Sequence, residues 1–141
     1  MLDERRKDLC KYRLKNSEDS LIVAEDCLEK GLYKDAINRS YYAAFYAIKA
    51  LLALEEVDFK RHKDVVAYFN KTYAATERIP REIGRKVAHL QQKREKSDYD
   101  DFYLASREET VEQVENTRSV IEKSKDSKRE KETYRNRRFR F

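Results

Sequence analysis

Residues that punctuate or bridge a chain are scarce here. The 141 residues include two Gly, one Pro, two Cys, two His and no Trp. So little turn chemistry leaves few sites for the tight connections of a β-meander or sandwich. Cys10 and Cys27 fall on one predicted helix about 25 Å apart, at 1.5 Å per residue, and cannot bridge each other. Two Cys and two His at scattered spacing make no zinc signature, so no metal site is expected. A Gly-rich phosphate loop and a Gly-x-Ser-x-Gly elbow are absent, and no cofactor is expected. No apolar run approaches the roughly 18 residues that span a bilayer, and MLDERRKDLCKYR lacks the apolar segment of a signal peptide. The expectation is a soluble cytoplasmic protein, away from membranes, with reduced thiols.

What the chain does have is charge, at 42% of residues, and strong helix formers. The predicted class is all-α, an up-and-down bundle of four or five helices. The one long stretch poor in charge is Ala36 to Leu52, AINRSYYAAFYAIKALL. On a helix, Ala36, Ile37, Ser40, Tyr41, Ala44, Phe45, Ile48, Leu51 and Leu52 cover one half of the circumference, an ordinary core face. The other half carries Asn38, Arg39, Tyr42, Ala43, Tyr46 and Ala50, which is unusual for an exposed face. The helix is therefore either central in the bundle or in contact with another chain on its second side.

In chain order, the first helix is predicted to reach about Lys30, with Leu14, Leu21 and Leu28 forming a seam around Ser17 and Ala24, and with Gly31 as its C-terminal cap. The second runs from about Leu32 to Glu55. A break over residues 56–59 precedes a third helix from His62, with Val65, Val66, Phe69 and Tyr73 on one side. The fourth starts at Pro80 and runs to about Lys96 on the stripe Ile83, Val87 and Leu90. A polar and aromatic connection leads to Ser106-Arg107-Glu108-Glu109, which matches a capping box and opens a fifth helix with Val111, Val114 and Ile121 inside. From Lys123 to Phe141 the chain carries nine basic and three acidic residues, a net +6, against −1 for the remainder. Residues 1–124 thus read as the bundle and 125–141 as a basic tail or helix extension.

The fourth helix carries a charged residue on its inner stripe. The period that places Ile83, Val87 and Leu90 inward next reaches Arg94, with Asp98 one turn on. A guanidinium facing the core must find partners, and Asp98, Asn38 or a Tyr hydroxyl of the second helix is eligible. His89 falls on the opposite face and is expected to be exposed. His62 reads as a helix-start residue at the rim, with approach to Arg94 as the alternative.

Asn38-Arg39-Ser40-Tyr41-Tyr42-Ala43-Ala44-Phe45-Tyr46-Ala47 with Leu51-Leu52, then His62, Phe69 and Arg94-x-x-x-Asp98-Tyr99, resemble the HEPN domains, in particular the small stand-alone prokaryotic subgroup. The similarity covers roughly residues 8 to 124. It implies a helical bundle that forms homodimers, a gene neighbourhood that includes a minimal nucleotidyltransferase in toxin–antitoxin pairs, and RNA or nucleotide biology. Many members are metal-independent ribonucleases in which an Arg is followed four to six residues later by a His. Arg94 matches that Arg, but the eligible positions hold Asp98, Tyr99 and Asp100. A His near pKa 6.5 moves protons at neutral pH, whereas an Asp beside Arg94 is ionised and repels phosphate.

Two functions follow from the sequence. The first is a non-catalytic HEPN module binding a partner protein, a nucleotidyltransferase by the resemblance, together with RNA or a nucleotide. Its polar site comprises Arg94, Asp98, Tyr99 and Asn38, and its dimer or ligand face Arg39, Tyr42 and Tyr46. The alternative is a metal-independent ribonuclease toxin dependent on Arg94. The tail, with Arg135, Arg137, Arg138 and Arg140 interleaved with Tyr134, Phe139 and Phe141, suits an arm that contacts phosphates and stacks on bases. Its other reading is a solvated extension of the fifth helix.

Overall fold

The first helix, α1 (Glu4–Glu29), stops where the sequence places its glycine. Gly31 takes φ +77°, and the two bonds of a Schellman turn close around it: Gly31 N–H to the Leu28 carbonyl at 3.1 Å, and Leu32 N–H to the Cys27 carbonyl at 2.8 Å. The chain reverses there and enters α2 (Tyr33–Leu54). After a short loop come α3 (His62–Phe69), a π-helical turn (Asn70–Ala74), α4 (Arg81–Tyr99) and α5 (Arg107–Arg138). This computed structural model describes residues 4–138, with side chains as far as Glu132. All regular structure among the described residues is helical.

The central element is α2, which packs against α1, α3, α4 and α5. Its predicted core face is buried throughout, and Tyr41, Phe45, Ile48, Leu51 and Leu52 meet Val65, Phe69, Tyr73, Ile83, Val87 and Leu90 in the main core. Full burial of one such aliphatic side chain contributes about 1.5–3 kcal/mol, which makes this cluster the main source of stability. The second face divides in two. Ala43, Ala47 and Ala50 are covered by α1 and α5 of the same chain, whereas Asn38, Arg39, Tyr42 and Tyr46 form a half-buried strip along α2.

Small residues set the α1–α2 contact. The buried positions of α1 are Cys10, Ser17, Ser20 and Ala24, while Leu14, Leu21 and Leu28 flank them half-buried. Close approach lets the Ser17 hydroxyl donate to the Ala43 carbonyl at 2.5 Å and Arg13 donate to the Lys49 carbonyl at 2.9 Å. From the other side Thr117 of α5 donates to the Ser40 carbonyl at 2.7 Å. The main chain of α2 is thereby held by side chains of two neighbouring helices.

Three sequence expectations shift. Helix α4 continues three residues past Lys96, so Asp98 and Tyr99 are helical. His89 is half-buried rather than exposed: α5 lies on that side of α4, and His89 Nδ1 is 3.2 Å from Gln113 Nε2 and 3.8 Å from a Glu112 carboxylate oxygen. Helix α5 runs on past residue 124, with Ser124 and Ser127 buried on it. At its start Ser106 accepts from the Glu109 N–H at 3.1 Å, but the Glu109 carboxylate accepts from the Tyr103 hydroxyl, and no return bond to Ser106 forms among the described residues.

Candidate functional site

Along the half-buried strip of α2, charged side chains gather over aromatic rings. Arg94 reaches across from α4, with its guanidinium carbon 5.0 Å from the centre of the Tyr41 ring and 5.5 Å from that of Tyr42. Arg39, from α2 itself, lies 4.9 Å from the same Tyr42 ring. Such placement gives each guanidinium a cation–π partner while leaving its donors for other acceptors. Arg94 Nε donates to Asp98 Oδ2 at 3.1 Å, and Asn38 Nδ2 donates to the same oxygen at 3.3 Å. The Asn38 carbonyl oxygen accepts from Arg39 Nε and Nη2 at 3.1 and 2.7 Å. Four of the residues expected to act here therefore form one chain: Arg39, Asn38, Asp98 and Arg94.

A fifth member comes from α3. His62 stacks on Phe45 with ring centres 4.1 Å apart and 26° between planes, and meets Tyr42 edge-on at 5.7 Å. Its Nδ1 lies 3.3 Å from the Tyr41 hydroxyl. The alternative left open in the sequence is the one realised: the histidine at the start of α3 and the arginine of α4 share the rings of Tyr41 and Tyr42. Lys49 adds a further cation, 5.8 Å from the centre of the Phe45 ring and 3.5 Å from Asp58. Burial, and then the charges of Arg94 and Lys49, push the His62 pKa below its ordinary value, so the imidazole is neutral at pH 7. Burial raises the Tyr41 hydroxyl to about 12 against the opposing pull of Arg94, which keeps it protonated and able to donate.

The remaining expected residues lie elsewhere. Tyr99 ends α4 with 78% of its surface exposed and joins none of these contacts. Tyr46 is tilted against Tyr42 at 6.2 Å and extends the aromatic strip toward the C-terminal end of α2. The side chains of Arg135, Arg137 and Arg138, and all of Arg140, lie outside the described residues. A hollow lined by Leu32, Tyr33, Lys34, Asp35, Tyr103, Leu104 and Ala105 contains none of the Arg94 cluster. Among the described residues no three His, Cys, Asp or Glu side chains are placed to hold a metal.

An all-α bundle built around α2 is consistent with the HEPN fold, and the HEPN domain family matches residues 10–128. The chain belongs to that family. It is 30% identical to a UPF0332 protein of Thermotoga maritima over 70% of this chain and 74% of the relative. A Methanocaldococcus jannaschii protein bearing the name "Putative toxin" is also 30% identical, over 68% of this chain and 65% of its own length. A UPF0332 protein of Pyrococcus horikoshii is 34% identical over 54% of each chain. No helix among the described residues is long and apolar enough to cross a membrane.

Proposed function

We propose that this chain is a HEPN module of a toxin-type pair that binds RNA or a nucleotide through its phosphate at the Arg94 cluster. A partner protein, of the nucleotidyltransferase class by family resemblance, would meet the same strip in place of RNA, and two copies would pair at its far end, at Tyr46. The observation that carries the reading is the Tyr42 ring with a guanidinium from each of two helices against it. Arg39 and Arg94 offer charged donors to a phosphate beside a ring on which a base can stack. Asp98 is the carboxylate bonded to Arg94, with Glu95 and Asp58 exposed to either side, and Arg39 is bonded to an amide oxygen. Arg39 thus forms no ion pair among the described residues. The toxin-type assignment rests on the names borne by relatives in Methanocaldococcus jannaschii.

Arg94 and Asp98 alone supply no proton acceptor suited to neutral pH, and on them the site binds without cutting. The second reading, a metal-independent ribonuclease, is favoured by one observation, the neutral His62 over the same rings. In that reaction the 2′-hydroxyl proton passes to His62, the O2′–P bond forms, and the P–O5′ bond breaks with the leaving 5′-oxygen taking a proton from water, while Arg94 balances charge on the phosphate. An assay of unmodified single-stranded RNA separates the two. Retention of RNA without cleavage, weakened at least about tenfold in Arg94→Ala, supports the binding module. Cutting that survives EDTA and vanishes in Arg94→Ala establishes the ribonuclease. Co-expression with a minimal nucleotidyltransferase tests the partner: a complex that co-purifies with wild type and not with Tyr42→Ala is the expected result.

A further inference from the structure

Three helices bring donors around the Tyr42 ring, and the arm from α3 differs in kind. Arg39 and Arg94 carry fixed charge, whereas His62 can gain one. Its Nδ1 is engaged by the Tyr41 hydroxyl at 3.3 Å, and its Nε2 has no hydrogen-bond partner among the described residues. Phe45 stacks on one face of the imidazole and Tyr42 closes its edge, so the ring is held in place before any ligand arrives. We propose that His62 is the third arm of a phosphate-ester site completed by Arg94 and Arg39, and that anion binding draws a proton onto its imidazole. This deepens the binding reading above and rests on it.

The electrostatics follow from the groups that face His62. From α2 these are Lys49, its ion pair with Asp58, and the hydroxyl of Tyr41; from α4 it is Arg94, itself paired with Asp98. On α3 and its cap, Arg61 and Asp64 neutralise each other at 2.7 Å, which leaves Lys63 as the nearby cation in sequence. Without ligand, burial and the two cations Arg94 and Lys49 keep the imidazole neutral. A phosphate on Arg94 and Arg39 reverses the local field and stabilises the imidazolium. By linkage, a group whose pKa rises on binding makes the complex tighter at lower pH. The gain appears as pH falls through the pKa of the complex and levels off below that of the free protein.

The test uses the full chain and a short single-stranded 2′-O-methyl RNA carrying a rhodamine label. That probe cannot be cut through a 2′-hydroxyl, and its diesters do not titrate near neutrality. At fixed ionic strength, wild-type affinity is expected to rise about tenfold from about pH 8 to about pH 5.5, the linkage of one proton with a shift of one pKa unit. His62→Gln is expected to lose the gain, its affinity staying level across that pH range, whereas His89→Gln keeps it. Arg94→Ala is expected to be weak throughout. Displacement of the probe by AMP but not by adenosine supports phosphate as the determinant, and equal displacement by both overturns that part. Should His62→Gln prove unfolded by circular dichroism, the wild-type imidazole is followed by NMR: its pKa must rise when the probe is added. A pH gain that survives in His62→Gln, or an imidazole whose pKa does not move, overturns the role of His62 and leaves the binding reading standing. Absence of binding by wild type at every pH overturns the binding reading itself.

Discussion

Two clusters of the molecule use nearly the same parts to opposite ends. At the C-terminal end of α2, Glu55 accepts from Arg78 at 2.7 Å, from Lys131 and from the Tyr68 hydroxyl at 3.4 Å, while Arg78 and Lys131 both lie against the ring of the fully buried Tyr73. Nearer the start of α2, Arg94 and Arg39 lie against tyrosines around Asp98. The difference lies in where the donors go. Glu55 is saturated by two cations and a hydroxyl, and each of them is used up in joining α2 and the region after α3 to the far part of α5. Asp98 receives one guanidinium nitrogen and one amide, and Arg39 is directed to a neutral oxygen. The first arrangement is a clamp, and the second leaves guanidinium donors unengaged, as the proposed phosphate site requires.

The sharpest way to break that distinction is to remove each carboxylate in turn. Glu55→Ala leaves the largely buried Lys131 beside Arg78, which is itself exposed, and is expected to cost about 1–2 kcal/mol in urea unfolding, well below the figure for a fully buried pair. The wild type should show the same group in its pH profile. The carboxyl of Glu55, although burial alone would raise it, is lowered from 4.5 to about 2 by its bonds with Lys131 and Arg78. A depressed acid stabilises the fold above its unfolded pKa. That contribution is therefore lost as pH falls from about 4.5 toward 2, and the acid limb should disappear in Glu55→Ala.

Asp98→Asn is expected to behave in the opposite sense. The partner is partly exposed, so stability should change by less than about 1 kcal/mol. Phosphate no longer competes with a carboxylate for Arg94, and affinity for the 2′-O-methyl RNA should rise several-fold. A fall in affinity would make Asp98 part of the ligand site rather than its competitor.

The legibility of these two clusters in sequence is unequal. Arg94 and Asp98 were visible because the stripe Ile83, Val87 and Leu90 extends to them with one period, and Asn38 stands on the long stretch poor in charge that forms α2. His62 was not assignable, since nothing local relates a helix start in α3 to a residue some thirty positions later; only the packing of both on α2 does. His89 was misplaced for a related reason. A period identifies one inner stripe, but α4 has two neighbours, and α5 covers the flank on which His89 sits. On α1 the leucine heptads were correct in phase yet not the deepest residues, because helices that approach closely bury the small side chains Cys10, Ser17 and Ala24 at the contact line. The Glu55 clamp left no sequence signal at all: its parts come from four separate segments.

A smaller effect is expected where the open strip ends. Tyr46 is half-buried beside Tyr42 and outside the main core. Tyr46→Asp should leave the unfolding midpoint within about 1 kcal/mol of wild type while shifting a dimer toward monomer in sedimentation velocity. A wild-type chain that sediments as a monomer at every concentration removes pairing from the account of this face.

The two clusters also redefine how the basic tail is to be tested. Cutting the chain after Ser127 would delete Lys131 and open the Glu55 clamp, so a loss of RNA affinity there would mix unfolding with lost charge. Cutting after Glu132 keeps the clamp and removes four arginines, Arg135, Arg137, Arg138 and Arg140. For that truncation, stability is expected to stay within about 0.5 kcal/mol of wild type. If the arm contacts phosphates, the slope of log affinity against log salt should flatten by up to about 3, since each lost contact with a single strand removes roughly 0.7. An unchanged slope would leave binding to the Arg94 cluster alone, whereas Lys131→Ala should lower stability and leave the slope where it was.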